Sequence, residues 1–310
     1  MPERLKGLVL KTSKGFALRG FESHPIRQIL FNMDKRIINK QIIIENYSAK
    51  NSVVYDNDTN KNFLYGDATK KFIKNIKITN KDNVIADVGC GTGFVFELIT
   101  KKYKKKKIKF YGIDPAKGML KIANNKIKDK RIKFFEGSFE KIHLKNNSVD
   151  KVISTLALHW VGSIDKALKE LKRITKPNGS MDILMIEKND GKRFKKLVFR
   201  VMKKYLSNKQ IFYAANLINR ISKNELKDKF SKYFNLKNDY NLSINIKKKL
   251  IYGSCSQHIK WWKARSLQVI SEINNKKLFI KNLKEELSKY DTKKGIPFDL
   301  SLLEIHLIRK

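Results

Sequence analysis

Residues 84–93, Val84-Ile85-Ala86-Asp87-Val88-Gly89-Cys90-Gly91-Thr92-Gly93, constrain the fold of this chain more than any other stretch. A short β-branched run ends in an aspartate, and three glycines at alternate positions follow before a helical pattern starts at Phe94. Glycines at such a junction let the backbone turn sharply out of a strand and keep side chains out of the space between backbone and ligand. A second apolar run, Ile108–Ile113, ends in Asp114, about 20 positions further on, where a parallel α/β sheet offers an acid to a ribose. Together they predict an adenosine-containing ligand across the carboxyl ends of two adjacent strands.

The spacing separates two cofactor classes. A dinucleotide fingerprint needs a small residue three places after its second glycine. Counted from Gly89 that place holds Phe94, and counted from Gly91 it holds Phe96, so a pyrophosphate fits poorly. Asp87-x-Gly89-x-Gly91-x-Gly93 instead resembles the first motif of the class I S-adenosylmethionine-dependent methyltransferases. Gly112–Leu120 looks like that family's second motif and Ser148–Ser154 like its fourth strand. Leu156–Val161 and Leu171–Ser180 are similar to the stretches that follow, so order and spacing agree over residues 82–187.

The resemblance implies an α/β fold, a Rossmann-like seven-stranded, mostly parallel sheet flanked by helices, with an antiparallel C-terminal edge hairpin and a helical cap. It implies S-adenosylmethionine as cofactor. Gly89, Cys90, Gly91 and Gly93 would then pack under its methionine and ribose, with Cys90 a small space-filler rather than a nucleophile. Asp87 would sit near its amino-acid end, Asp114 would accept from both ribose hydroxyls, and Pro115 would border the adenine. Thr155, at the fourth-strand end, would lie along the methionine portion. Where the family usually has an aspartate for the adenine amino group, this chain has Gly137-Ser138-Phe139. Ser138 and Phe139 are the expected contacts there, Ser138 a weak acceptor and Phe139 through its ring or its amide.

Methyl transfer from a cationic sulfur needs positioning and a route for a proton, not a protein nucleophile. No Ser/His/Asp or Cys/His constellation and no metal-ligand spacing is visible in the sequence. His159, followed by Trp160, is the candidate catalytic base; a structural role in a loop shared across the family is the competing reading. Tyr55, Tyr65, Trp261 and Trp262 are candidates to close over the ligands, or to pack.

The His-Trp block and Ala167–Leu171 resemble the subgroup of malonyl-acyl-carrier-protein, trans-aconitate and quinone methyltransferases. No Asn-Pro-Pro-Tyr or Asp-Pro-Pro-Tyr closes the fourth strand, as it does in members that methylate nucleobase amines. The expected acceptor is a small molecule or carrier-bound group that takes the methyl on a carboxylate, hydroxyl or thiol. An RNA methyltransferase and a non-catalytic assembly factor with the same fold are the alternatives.

The balance of 68 Lys+Arg against 29 Asp+Glu gives a net charge of +39. Lysine is spread over the whole chain without one stripe, which reads as compositional bias with non-specific attraction for polyanions. Two cysteines, Cys90 and Cys255, fit a reducing compartment. No apolar run reaches the ~18–20 residues of a membrane span. A cytoplasmic protein, monomeric or homodimeric, is expected, with the basic stretch Met1–Phe21 as a candidate organellar leader. Four segments are expected: residues 1–80, a basic extension, with a helix from Pro25, and lid helices; 81–190, the cofactor-binding core; 191–235, a helical cap over the ligand end; and 236–310, the sheet edge with inserted helices.

Overall fold

A computed structural model describes Ile44, Tyr47, residues 49–104 and residues 107–310. The expected basic extension, its helix from Pro25 and the leader reading of Met1–Phe21 lie outside the described residues.

Among the described residues three helices come first, α1 (Ala49–Tyr55), α2 (Asp58–Asn62) and α3 (Tyr65–Asn75). Strand and helix then alternate: β1 (Val84–Val88), α4 (Phe94–Lys102), β2 (Lys109–Asp114), α5 (Lys117–Lys126), β3 (Ile132–Glu136), β4 (Val149–Thr155), α6 (Ile164–Ile174) and β5 (Thr175–Ile186). The chain continues through α7 (Lys192–Met202), α8 (Asn208–Ala215), α9 (Lys223–Tyr233), β6 (Tyr240–Gly253), α10 (Cys255–Arg265), α11 (Leu267–Ser271), α12 (Lys276–Ser288) and β7 (Ile296–Arg309). One seven-stranded sheet results, ordered β3-β2-β1-β4-β5-β7-β6. β1 to β5 run parallel, and β7 is antiparallel to both β5 and β6. The expected seven-stranded sheet with its antiparallel edge is therefore present.

The chain winds outward from β1 to β3 and then returns to β4 on the other side of β1. That reversal opens a crevice at the carboxyl ends of β1 and β4, where open α/β sheets bind ligands. Apolar residues fill both faces. Ile85, Phe96, Phe110, Phe194 and Phe298 belong to one core, and Ala86, Val152, Leu168, Phe230 and Ile305 to the other. Alternation along β1, with Ile85 in the first core and Ala86 in the second, is what a strand covered on both faces requires.

Pro177-Asn178-Gly179 lies within β5. The register against β4 jumps from Val149↔Thr175 to Lys151↔Ser180, so these residues bulge out of the ladder. A proline cannot donate to the ladder and is accommodated in such a bulge. Residues 191–235 do not form a single cap. α7 packs on β7 and α12, whereas α9 packs on α6 and β6. Phe194, Leu197 and Val201 join the core on one face, and Leu226 and Phe230 join the other. Two amphipathic helices with separate apolar faces can each cover a different side of the sheet.

β6 and β7 pair along their full length, from Tyr240↔Arg309 to Gly253↔Ile296, with α10–α12 inserted between them. Ser254 caps α10 with a reciprocal box to Gln257, which marks where strand gives way to helix.

Candidate active site

At the crevice the turn after β1 is shaped by its glycines. Gly91 has φ +53, and a Cβ built there meets none of the described residues within 4 Å, so the backbone faces open space among them. Gly93 behaves differently: it caps α4 at φ +80, and a Cβ would run into Ile127 Cδ1 at 2.4 Å. Gly93 thus serves helix–helix packing rather than a ligand.

Two neighbouring cavities, of about 130 and 100 Å³, share Tyr47, Gly89, Asp114, Ala157 and Trp160 and form two lobes of one cleft. Cys90, Gly91, Thr155 and Leu156 line the larger lobe. Pro115, Ser138 and Phe139 line the smaller. The structure therefore brings together Gly89, Cys90, Gly91, Asp114, Pro115, Ser138, Phe139 and Thr155. Gly93, Asp87 and His159 are on neither wall.

Asp114 ends β2, and its carboxylate accepts from the Gly91 amide and the Ala116 amide, both at 2.9 Å. Burial pushes its carboxyl up to about 6, and the two amide bonds pull it back. Asp87 is buried, and among the described residues neither carboxylate oxygen has a hydrogen-bond partner. Burial, then the charge of Asp114, pushes its carboxyl well above the ordinary range. An orphaned acid two residues before the turn, an open glycine and an acid on the cleft wall fit a polar, hydroxyl-bearing ligand with a cationic end. The residues present thus fit S-adenosylmethionine.

His159 follows β4 in a short 3-10 turn, Leu158–Trp160, and is buried. Its carbonyl accepts from the Asn219 amide at 2.7 Å, and its Nδ1 has no partner among the described residues. Burial, helped by Arg220 and Arg265, drives its pKa down to about 3, so the ring stays neutral and is a weak base. Neighbouring Trp160 is the residue that reaches the cleft. Leu156, also on the wall, holds φ +55, a strained conformation for a branched side chain, where β4 meets the ligand end.

Tyr47, Asp56 and Arg265 on the wall carried no sequence signal. Tyr47 stands edge-on to Tyr55 at 5.5 Å and to Trp160 at 6.0 Å. Asp56 accepts from Thr92 Oγ1 at 2.7 Å and from Lys126 Nζ at 3.0 Å, tying the helices before β1 to the glycine turn. Tyr65 donates to buried Asp190, and Asp190 also accepts from the Ser301 amide. Arg265 comes from the end of α10. Of the expected aromatic lids, Tyr55 and Tyr65 line the cleft. Trp261 and Trp262 are core residues, packed with Phe298 and Phe279.

Residues 86–183 match the family described as methyltransferase domain. This segment contains the glycine turn, Asp114 and the crevice strand β4. The chain carries a class I S-adenosylmethionine-dependent methyltransferase domain. This methyltransferase domain is similar to the malonyl-[acyl-carrier protein] O-methyltransferase of Priestia megaterium, 26% identical over 151 residues, 47% of this chain and 51% of that one. A ubiquinone/menaquinone biosynthesis C-methyltransferase of Campylobacter jejuni is 31% identical over 113 residues, 36% of this chain and 47% of that one. The chain thus spans about half the length of these curated relatives. Among solved structures, phosphoethanolamine N-methyltransferase 2 of Haemonchus contortus aligns over 87% of this chain and 59% of its own. With a TM-score of 0.57 and 14% identity, that likeness concerns the fold of the methyltransferase domain.

Proposed function

We propose that this chain transfers a methyl group from S-adenosylmethionine to a small-molecule or carrier-bound acceptor, at a carboxylate, hydroxyl or thiol. The observation that carries the reading is the pairing of Asp114 with the open glycine turn on one cleft wall: the acid is fixed by the Gly91 amide and still lines the space. When bound, the cofactor supplies a methyl group on a sulfonium, already a good leaving group. Asp114 would hold the ribose hydroxyls, the turn at Gly89–Gly91 would admit backbone contact, and Ser138 and Phe139 would border the adenine. Tyr47, Tyr55, Tyr65 and Trp160 wall the larger lobe and would exclude water around the acceptor. The small-acceptor reading is supported by the fourth-strand end, Ser154-Thr155-Leu156, and by relatives named for malonyl-acyl-carrier protein and quinone biosynthesis.

Calorimetry with S-adenosylhomocysteine tests the cofactor half. Asp114→Ala removes charge-assisted hydrogen bonds worth roughly 1.5–3 kcal/mol each, so affinity should fall at least about tenfold. Gly91→Val both fills the open space and strains a positive φ, and should lower affinity at least as much. Unchanged affinity in both variants would sink the assignment. Incubation with labelled cofactor and fractionated small molecules, acyl carrier protein or RNA tests the acceptor half. Label in RNA at physiological salt, lost in Asp114→Ala, would overturn it.

A further inference from the structure

The larger lobe has a cation on its wall that no described residue neutralises. Lys61 also lines this lobe, but it is paired with Asp56 at 3.4 Å and Glu97 at 3.7 Å. The two acids of the same wall are engaged elsewhere: Asp56 with Lys61 and Lys126, and Asp114 with the amides of Gly91 and Ala116. That leaves the Arg265 guanidinium without an ion-pair partner among the described residues. Its position is nevertheless fixed. The group lies over the rings of Tyr55, Tyr65 and Trp261 at 5.1, 5.3 and 5.2 Å from their centroids. Nη1 donates to Asn60 Oδ1 at 2.6 Å and to the Trp261 carbonyl at 3.2 Å.

A guanidinium is a planar fork that matches a carboxylate with two parallel hydrogen bonds. Held rigid between rings, it loses little freedom when it binds, and among apolar walls its charge is weakly screened. A single unpaired cation in a cavity of about 130 Å³ suits one monoanion. We propose that Arg265 is the carboxylate receptor of this cleft, taking either the carboxylate of the acceptor or that of the cofactor's methionyl group. The inference rests on the methyltransferase reading for the identity of those two sources. It also gives the insertion between β6 and β7 a function: α10 reaches the site through this residue.

The experiment compares full-length wild type with Arg265→Met and Arg265→Lys, each shown by thermal unfolding to be folded. Arg265→Lys keeps the charge, loses the fork, and remains informative if the methionine variant does not fold. Calorimetry measures S-adenosylhomocysteine, which carries the methionyl carboxylate, and 5′-methylthioadenosine, which does not. The nucleoside-saturated protein is then titrated with benzoate and glutarate, and with benzamide and glutaramide as uncharged counterparts. If the source is the cofactor, S-adenosylhomocysteine weakens at least tenfold in Arg265→Met, less in Arg265→Lys, and 5′-methylthioadenosine is unchanged. If it is the acceptor, both nucleosides keep their affinity while binding of benzoate or glutarate falls at least tenfold and the amides never bind. The proposal is overturned if neither S-adenosylhomocysteine nor the carboxylates respond. It is equally overturned if both nucleosides weaken alike, which marks Arg265 as packing only. Failure of the methyltransferase reading has a separate signature: wild-type S-adenosylhomocysteine binding would be absent or insensitive to Asp114→Ala.

Discussion

If Asp114 holds the ribose as proposed, cofactor binding is sensitive to pH. Burial pushes the Asp114 carboxyl up to about 6 in the folded protein, and the ionised form is the stronger acceptor for two hydroxyls. S-adenosylhomocysteine affinity should therefore be flat above about pH 7 and fall by up to about tenfold per pH unit below 6. Asp114→Asn should bind weakly with a flattened profile; a wild-type profile that is already flat from pH 5 to 8 would refute this. Stability carries the opposite sign. The folded acid keeps its proton to about 6 and the unfolded one loses it near 3.8, so this group costs stability as pH rises through that interval. Such a residue was legible in the sequence because its relation to the glycines is local and fixed by spacing. Arg265 was not, because it meets Asn60 across 205 positions and no pattern links the two. His159 shows a third case: its place after β4 was readable, but the turn that sends Trp160 to the cleft and buries the imidazole is a matter of tertiary packing.

At the level of elements, α6 and α9 form the layer opposite the aromatic wall. Ile164, Ala167, Leu168, Leu171 and Ile174 lie on one stripe of α6, and Leu226 and Phe230 of α9 share their core. Phe230→Ala should cost about 3–5 kcal/mol, the usual loss for a buried aromatic ring, as measured by urea unfolding. Because Phe230 itself lines neither lobe of the cleft, S-adenosylhomocysteine affinity of the folded variant should stay within about twofold of wild type. A parallel loss of affinity would show that the layer also shapes the site. The 3.6-residue period of these helices revealed that they exist but not which face of the sheet each covers. That choice depends on the connection through residues 216–221, where Asn219 binds the carbonyls of His159 and Val161. β6 was harder to see in sequence. Only Leu242–Ile246 alternates, and Lys247, Lys248 and Lys249 are all exposed, so the strand continues where the apolar signal stops.

For the whole molecule the dominant quantity is the charge of +39. Many described lysines are engaged locally: Lys126 with Asp56 and Glu97, Lys151 with Asp182, and Lys229 with Asp165. The remainder should attract RNA mainly through counterion release. Filter binding should show sequence-blind association that weakens by roughly 10³-fold or more between 50 and 200 mM salt if six or more phosphates are contacted. Tight binding that survives physiological salt would instead point to a dedicated surface. The sheet order has a consequence for how the protein is made. β7 lies between β5 and β6, yet it follows both in the chain, after the three inserted helices. During translation, β5 and the 14-residue β6 must therefore wait with open backbone edges until the ribosome delivers β7. The consecutive lysines 247–249, exposed on β6, should repel identical neighbours over that interval and so disfavour edge-to-edge pairing of nascent chains on a shared messenger.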